Sequence, residues 1–265
     1  MDEQHLSLID SHFHLRAIEA KGIDPIALLQ KMQENNIVGL EIGLAGDDLG
    51  MRIERFGHYD GLQFAVGIGP WGVDKGRPSI EVQIAQLEEQ LDLYKAAAIG
   101  EIGLDNHWKY GTPESQEALL HRQFDLAQDR GLPIIIHNRE ADEQFIRILK
   151  DRSFASGGVF HCYQGGDELA HLAIEKGFFL SFAGPLTYKS NTQMQKLFSS
   201  LPLSSLLLET DSPYLSPVPL RGKPNTPLSM IHIYRFAAAL RQISVAELVE
   251  QIEINYHHFL TFLRE

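Results

Sequence analysis

Two histidines and an aspartate occupy alternate positions near the start of the chain, in the segment DSHFHL. These residues are Asp10, His12 and His14, and the apolar residues Leu8 and Ile9 precede them. In a β-strand, side chains at positions i, i+2 and i+4 point to the same face. Because two neighbouring imidazoles are costly to bury unless their nitrogens are satisfied, the segment predicts the end of a strand that presents metal-competent groups.

Four more metal-competent residues end short apolar segments later in the chain. They are Glu101 in GEIGLD, His137 in IIIHNR, His161 in GVFHCY and Asp211 in LLLETD. A histidine at a strand end, taken alone, is more often a hydrogen-bonded structural residue than a metal ligand. Together with His12 and His14, however, these residues favour a polynuclear site for divalent ions such as Zn²⁺, Mn²⁺ or Mg²⁺.

The elements that position these residues are eight apolar segments rich in β-branched and aromatic residues. Their bounding Gly, Pro and Asp residues favour strands over pieces of buried helix. The candidates are LSLID from Leu6, IVGLEIG from Ile37, QFAVGIG from Gln63, AAAIGEIG from Ala96, LPIIIH from Leu132, GGVFH from Gly157, GFFLSF from Gly177 and SLLLETD from Ser205.

Amphipathic segments typical of helices lie between these strands, with capping residues such as Thr112 before Pro113 and a terminating Gly131. This alternation predicts an α/β protein with a single (β/α)₈ TIM-type barrel, and a doubly wound open sheet is the alternative. No low-complexity linker divides the chain, so we expect one domain over residues 1–265. In such a barrel the C-terminal strand ends meet at one mouth, where active sites are built.

The charge balance restricts the classes of partner. The chain has 23 Lys and Arg against 35 Asp and Glu, a formal net charge of −12. This balance argues against non-specific wrapping of nucleic acid, although bound metal ions would make a local site positive. The single cysteine, Cys162, excludes an internal disulfide and a cysteine-based zinc cluster, and it is compatible with a reducing compartment.

The sequence also bears on location. The segment MDEQHLSLID begins acidic and lacks a basic region followed by an apolar stretch, and no apolar run is long enough to cross a bilayer. We therefore expect a cytoplasmic protein without a membrane partner. The surface pattern leaves the oligomeric state open, and a monomer is one state that fits it.

Three basic residues are candidates for binding substrate phosphate. Arg139 lies two residues after His137, and Arg221 and Lys223 lie in the loop segment PLRGKPNTP after the eighth strand. Basic side chains beside a metal site can clamp phosphate oxygens. Taken separately, each is also compatible with an ordinary solvated position.

The motifs DSHFHL, GEIGLD, IIIHNREAD, FHCYQGG, SFAGPLTYK and ETDSPYLSPVPLRGKPNTP closely resemble those of the TatD family of metal-dependent deoxyribonucleases. The resemblance covers nearly the whole chain and implies a TIM-type barrel that binds two divalent ions. It implies that one ion is held by His12, His14, Glu101 and Asp211, and the other by Glu101, His137 and His161. It further implies that Asp211 also accepts a proton from the attacking water, and we expect Glu209 to have only a supporting role.

The sequence departs from the family at one place. After the third strand the family commonly has Gly-x-His-Pro-His, whereas this chain has GIGPWG, so that Gly69 and Trp71 replace both histidines. Trp71 either shields the mouth of the barrel or stacks on a base of the substrate. We expect this replacement to affect rate or substrate choice.

The function that this resemblance implies is hydrolysis of phosphodiester bonds, with DNA trimmed from an end or a small phosphodiester as substrate. Glu101 and Asp211 are then the catalytic residues. An ester or amide hydrolase, such as a deacylase, on the same two ions is one alternative, and a non-catalytic barrel scaffold is another. The complete set of six ligands argues against a scaffold, because a scaffold has no need for a cluster of polar groups that is costly to bury.

Overall fold

A computed structural model of the protein describes residues 6–261, so the first five and last four residues of the predicted domain lie outside the described part. Within it, eight strands alternate with helices. The strands are β1 Leu8–Phe13, β2 Ile37–Ile42, β3 Leu62–Val66, β4 Ala98–Asp105, β5 Ile134–Arg139, β6 Gly158–Phe160, β7 Phe178–Phe182 and β8 Leu206–Leu208.

The helices lie between and after these strands. They are α1 Leu15–Ala20, α2 Pro25–Glu34, α3 Leu49–Phe56, α4 Ile80–Leu93, α5 Pro113–Arg130, α6 Asp142–Asp151, α7 Asp167–Glu175, α8 Thr192–Ser200, α9 Met230–Arg241 and α10 Val245–Thr261. Among the described helices, none combines the length and the apolar character needed to cross a bilayer.

The strands form one sheet in the order β1-β2-β3-β4-β5-β6-β7-β8. The segment that follows β8 pairs with β1, because the N–H of Asp211 donates to the carbonyl of His12 at 2.9 Å and the N–H of His14 donates to the carbonyl of Ser212 at 3.0 Å. The predicted (β/α)₈ TIM-type barrel is therefore confirmed. The open sheet is excluded, since its edge strands would not pair with each other.

The local sequence explains the elements. All residues of β1, β4, β7 and β8 are buried, as expected for parallel strands covered on both faces. Helix α5 begins at a capping box in which the side chains of Thr112 and Ser115 each accept from the other's backbone N–H. It ends at Gly131, whose φ of 60° is the left-handed conformation that glycine adopts without strain.

Three details differ from the sequence expectations. Helices α1 and α3 are additional to the predicted elements. Glu101 lies inside β4 rather than at its end, because β4 stays paired with β5 as far as Asp105, opposite Arg139. Asp211 lies three residues beyond the end of β8, in the segment that pairs with β1.

The chain divides into two compact units by its internal contacts. The first unit comprises Met1–Glu41, Phe56–Gln63 and Ser181–His258, and the second comprises Ile42–Arg55, Phe64–Leu180 and Phe259–Glu265. The first unit contains β1 and β8 with the pairing that joins them, and the second contains β4, β5 and β6. The single domain over 1–265 stays a prediction.

Candidate metal centre

The first unit brings His12, His14 and Asp211 together, and we call these residues the first cluster. The Nε2 atoms of His12 and His14 are 3.2 Å apart. The Oδ1 atom of Asp211 lies 3.9 Å from His12 Nε2 and 3.6 Å from His14 Nε2. Both histidines are buried, whereas the Asp211 side chain is 13% exposed. The first cluster therefore offers two imidazole nitrogens and a carboxylate oxygen at one point, with the carboxylate on its wetter side.

Backbone geometry delivers these side chains. His12 lies in β1, and His14 is the residue before the first turn of α1. Asp211 has a φ of 54°, in the left-handed region that aspartate tolerates better than most residues. Its N–H is bonded to the His12 carbonyl, so the turn after β8 holds the carboxylate against the end of β1.

Asp10 supports the first cluster by hydrogen bonds to the neighbouring residue Thr210. Its fully buried carboxylate accepts hydrogen bonds from the Thr210 N–H at 2.9 Å and the Thr210 hydroxyl at 2.6 Å. Burial raises the pKa of Asp10 to about 8, although these hydrogen bonds oppose the rise. The sequence analysis grouped Asp10 with His12 and His14. In the structure, Asp10 instead connects β1 with Thr210, the residue before Asp211.

The second unit brings Glu101, His137 and His161 together, and we call these residues the second cluster. Glu101 Oε1 lies 2.6 Å from His137 Nδ1 and 3.0 Å from His161 Nε2. The two histidine nitrogens are 3.4 Å apart. Glu101 and His161 are buried and His137 is partly exposed. Strands β4 and β5 and the residue after β6 supply the three side chains.

Asp105 orients His137, a role that the sequence analysis missed. His137 Nε2 lies 3.1 Å from Asp105 Oδ2, and the other oxygen of Asp105 accepts the N–H groups of His107 and Trp108 at 3.0 and 2.8 Å. A carboxylate accepts only, and both ring nitrogens of His137 face carboxylates, Nε2 facing Asp105 and Nδ1 facing Glu101. With a metal ion on Nδ1, His137 would keep its proton on Nε2 and donate it to Asp105. The sequence feature that could have indicated this role is the spacing of Asp105 and Glu101. The two residues are four positions apart in β4, so their side chains face the same way.

Asp105 and His137 each affect the pKa of the other. Burial favours a neutral Asp105, but the hydrogen bonds from His137 and from the backbone outweigh burial and lower its pKa. Burial also disfavours the charged form of His137, yet hydrogen bonds to Asp105 and Glu101 raise its pKa. The second cluster is therefore an acidic environment that attracts positive charge.

Each cluster fits a divalent ion by its donor spacing. Ligands at 2.0–2.1 Å from a tetrahedral ion are about 3.3 Å from one another, and an octahedral ion brings neighbours to about 3.0 Å. The donor atoms of the first cluster are 3.2–3.9 Å apart, and those of the second are 2.6–3.4 Å apart. Imidazole nitrogens and carboxylate oxygens are also the donors that Zn²⁺ and Mn²⁺ accept.

The family model described as TatD related DNase matches residues 9–261. The chain belongs to the TatD family of metal-dependent hydrolases. The uncharacterized metal-dependent hydrolase YabD of Bacillus subtilis is 32% identical over 91% of this chain and 94% of its own. The uncharacterized metal-dependent hydrolase YcfH of Escherichia coli K12 is 30% identical, with 94% of each chain covered.

A solved structure of the family agrees with the fold. The crystal structure of YJJV, a TatD homologue from Escherichia coli K12, has a TM-score of 0.85 and 27% identity, and the match covers 96% of this chain and 98% of that one. The family resemblance seen in the motifs is therefore confirmed. The expected barrel is the fold of this relative as well.

The candidate phosphate-binding residues divide between the two units. Arg139 is exposed at the end of β5, in register with Asp105 of β4. Arg221 and Lys223 are exposed in the loop after β8. The guanidinium carbon of Arg221 lies 4.1 Å from the centre of the Tyr188 ring, so this side chain makes a cation–π contact.

This TatD-family chain has Gly69 and Trp71 where the family commonly has two histidines, and the two replacements depend on each other. A Cβ atom at position 69 would overlap the six-membered ring of Trp71, so the indole occupies the space that a side chain there would need. Trp71 Nε1 donates to the carbonyl of Leu44 at 3.1 Å. The indole centre lies 6.3 Å from that of His137, and a single fixed ring thus stands beside the second cluster.

Proposed function

We propose that this TatD-family hydrolase is a divalent-metal-dependent phosphodiesterase, a DNase that removes nucleotides from an end of a DNA strand. The observation that carries the proposal is the pair of clusters, each with two imidazole nitrogens and a carboxylate at ligand-to-ligand distances. The description of the family as TatD related DNases supports the same substrate class.

In this proposal each cluster holds one ion, and the ions are Zn²⁺, Mn²⁺ or Mg²⁺. The first is held by His12, His14 and Asp211, and the second by Glu101, His137 and His161. The family resemblance further implies that Glu101 is a ligand of both ions. Divalent ions bound in this way lower the pKa of a water to about 7 and offset the negative charge of a phosphoryl group.

The residues of the chain divide the remaining work. Asp211 is the general base, because its carboxylate is 13% exposed and can exchange a proton with water, whereas Glu209 is fully buried. Glu209 therefore supports the first cluster without taking part in proton transfer. Asp105 holds the His137 ring so that its Nδ1 lone pair keeps one direction throughout turnover.

The basic residues favour a phosphodiester over an uncharged ester. Arg139, Arg221 and Lys223 would bind non-bridging phosphate oxygens, and a guanidinium stacked on a ring, as Arg221 is on Tyr188, can still donate its N–H groups in its own plane. Deacylation of a neutral ester would give these cations no partner. We therefore place DNA ahead of an acyl ester as substrate.

A substrate panel tests the proposal. Protein loaded with Mn²⁺ or Zn²⁺ is given an end-labelled single-stranded oligonucleotide, bis(p-nitrophenyl) phosphate and p-nitrophenyl acetate. We expect cleavage of both phosphodiesters and little of the ester. Glu101→Gln and Asp211→Asn should each lower phosphodiester turnover by about 100-fold or more, since each removes a charged ligand.

The control is Glu168→Gln, which changes an exposed carboxylate in α7 that pairs only loosely with Lys150 at 3.7 Å. It should leave every rate unchanged. Rapid cleavage of the acetate with intact DNA would replace the proposal with the deacylase. Absence of any turnover in protein shown to bind two ions would favour the scaffold.

A further inference from the structure

A cavity of about 170 Å³ lies beside Trp71 in the second unit, and we call it the Trp71 cavity. Leu44 and Ile68 form apolar walls, and Asp47, Arg77 and Gln86 supply polar atoms. This volume is below the roughly 300–1,000 Å³ of sites for drug-sized ligands, so the cavity suits a single ring system.

Trp71 connects this cavity with the second cluster. The indole lines the cavity, and its centre is also 6.3 Å from the His137 ring and 6.5 Å from the Tyr110 ring. The hydrogen bond from its Nε1 to Leu44 keeps the ring in place. A ligand ring in the cavity would therefore contact an aromatic wall, held by a hydrogen bond, next to a histidine proposed as a metal ligand.

The polar lining is available to a ligand. Arg77, Asp47 and Gln86 are exposed, and among residues 6–261 their side chains make no hydrogen bond or ion pair. The Gln86 amide can both donate and accept, which suits the edge of a nucleobase. The Arg77 guanidinium suits a phosphate.

We propose that the Trp71 cavity is a nucleobase subsite, in which the base of a substrate nucleotide packs on Trp71 and Arg77 binds a phosphate of the same strand. The inference rests on the proposed phosphodiesterase function and adds the position of one base. It also assigns a purpose to the loss of both histidines in GIGPWG, because Gly69 makes room for the indole that forms the wall. A base that must enter such a cavity has to be unpaired, so the subsite selects single-stranded ends.

Nucleotide binding tests the subsite without any need for catalysis. The chain has two tryptophans, so Trp108→Phe leaves Trp71 as the sole indole, and Trp108 is 62% exposed. In this background, metal-loaded protein is titrated with thymidine 5′-monophosphate, thymidine or deoxyribose 5-phosphate. We expect saturable quenching of Trp71 fluorescence by the nucleotide and, more weakly, by thymidine, and none by the sugar phosphate.

Two cavity variants and one control complete the test. Ala45→Phe fills the cavity and should raise the Kd of the nucleotide about 10-fold or more, since base stacking accounts for roughly 5- to 150-fold in affinity. Arg77→Ala should weaken the nucleotide about 10-fold and leave thymidine unchanged. Lys75→Ala, which removes an exposed cation two residues away, should change neither value.

Several results would overturn the inference. One is quenching by deoxyribose 5-phosphate that is as strong as quenching by the nucleotide. Another is a wild-type affinity for the nucleotide in both cavity variants. If Ala45→Phe fails to fold, Arg77→Ala and the comparison of ligands still decide. Cleavage of DNA with an unchanged KM in both variants refutes the subsite alone, whereas nucleotide binding without hydrolysis of any phosphodiester refutes the proposed function.

Discussion

The contact between Asp105 and His137 makes the orientation of one proposed metal ligand depend on a single buried carboxylate. Asp105→Asn keeps the size of the side chain and one oxygen for the N–H groups of His107 and Trp108. If the new amide nitrogen faces His137 Nε2, two donors oppose each other, and the imidazole proton moves to Nδ1. The lone pair that should bind metal is then lost.

The size of the effect follows from the contact. Asp105 is 2% exposed and lies 3.1 Å from His137 Nε2, so its hydrogen bond is charge-assisted and shielded from water. Hydrogen bonds to charged groups contribute about 1.5–3 kcal/mol, and 1.36 kcal/mol corresponds to a factor of ten. We therefore expect Asp105→Asn to weaken the binding of one metal ion by about 10- to 100-fold, as is typical for partners of ligating histidines.

Competition with a chromophoric chelator measures this affinity for each ion. The matched control is Glu140→Gln, which removes the charge from an exposed carboxylate 2.9 Å from His107 Nδ1 and should leave the affinity within two-fold of wild type, as an estimate from exposed ion pairs. Both variants should keep the circular dichroism spectrum of the parent. Wild-type metal affinity in Asp105→Asn would refute the orienting role, and equal weakening in both variants would show that loop charge matters instead.

Three further predictions concern metal and stability. Removal of metal with a chelator should lower the melting temperature and re-addition of Mn²⁺ or Zn²⁺ should restore it, because ions at 100 times their Kd stabilise the fold by about 2.7 kcal/mol; an unchanged scan would contradict metal binding to the native state. Asp48→Ala removes the buried carboxylate to which Arg52, 1% exposed, donates at 2.8 Å, and urea unfolding should show a loss of about 3 kcal/mol. A loss below about 1 kcal/mol would mean that the other partners of Arg52, such as the Ala65 carbonyl, are sufficient. Gly131→Ala forces a φ of 60° on a residue with a Cβ atom, so calorimetry should show destabilisation by about 1 kcal/mol, and an unchanged melting temperature would exclude strain at this cap.

The sequence by itself determined what depends on local geometry. The two-residue spacing of His12 and His14 follows from the period of a strand, and the cap at Thr112 and the end at Gly131 follow from backbone chemistry within one turn of helix. The alternation of strands and helices predicted a parallel α/β sheet, because parallel strands require crossover connections, but an open sheet has the same alternation and only the pairing of Asp211 and Ser212 with β1 excluded it. The motifs identified the family because they contain the candidate metal ligands and the candidate phosphate-binding residues.

Tertiary structure alone decided which side chains meet across long stretches of chain. Asp105 and His137 are 32 residues apart, and Asp10 and Thr210 are 200 residues apart, so their contacts depend on the register of β4 with β5 and on the closure of β8 on β1. A period of two residues says which face a side chain takes, but a shift of register by one residue reverses that face. Three features could therefore be found only once the pairing of the strands was known. They are the contact of Asp105 with His137, the contact of Asp10 with Thr210, and the Trp71 cavity.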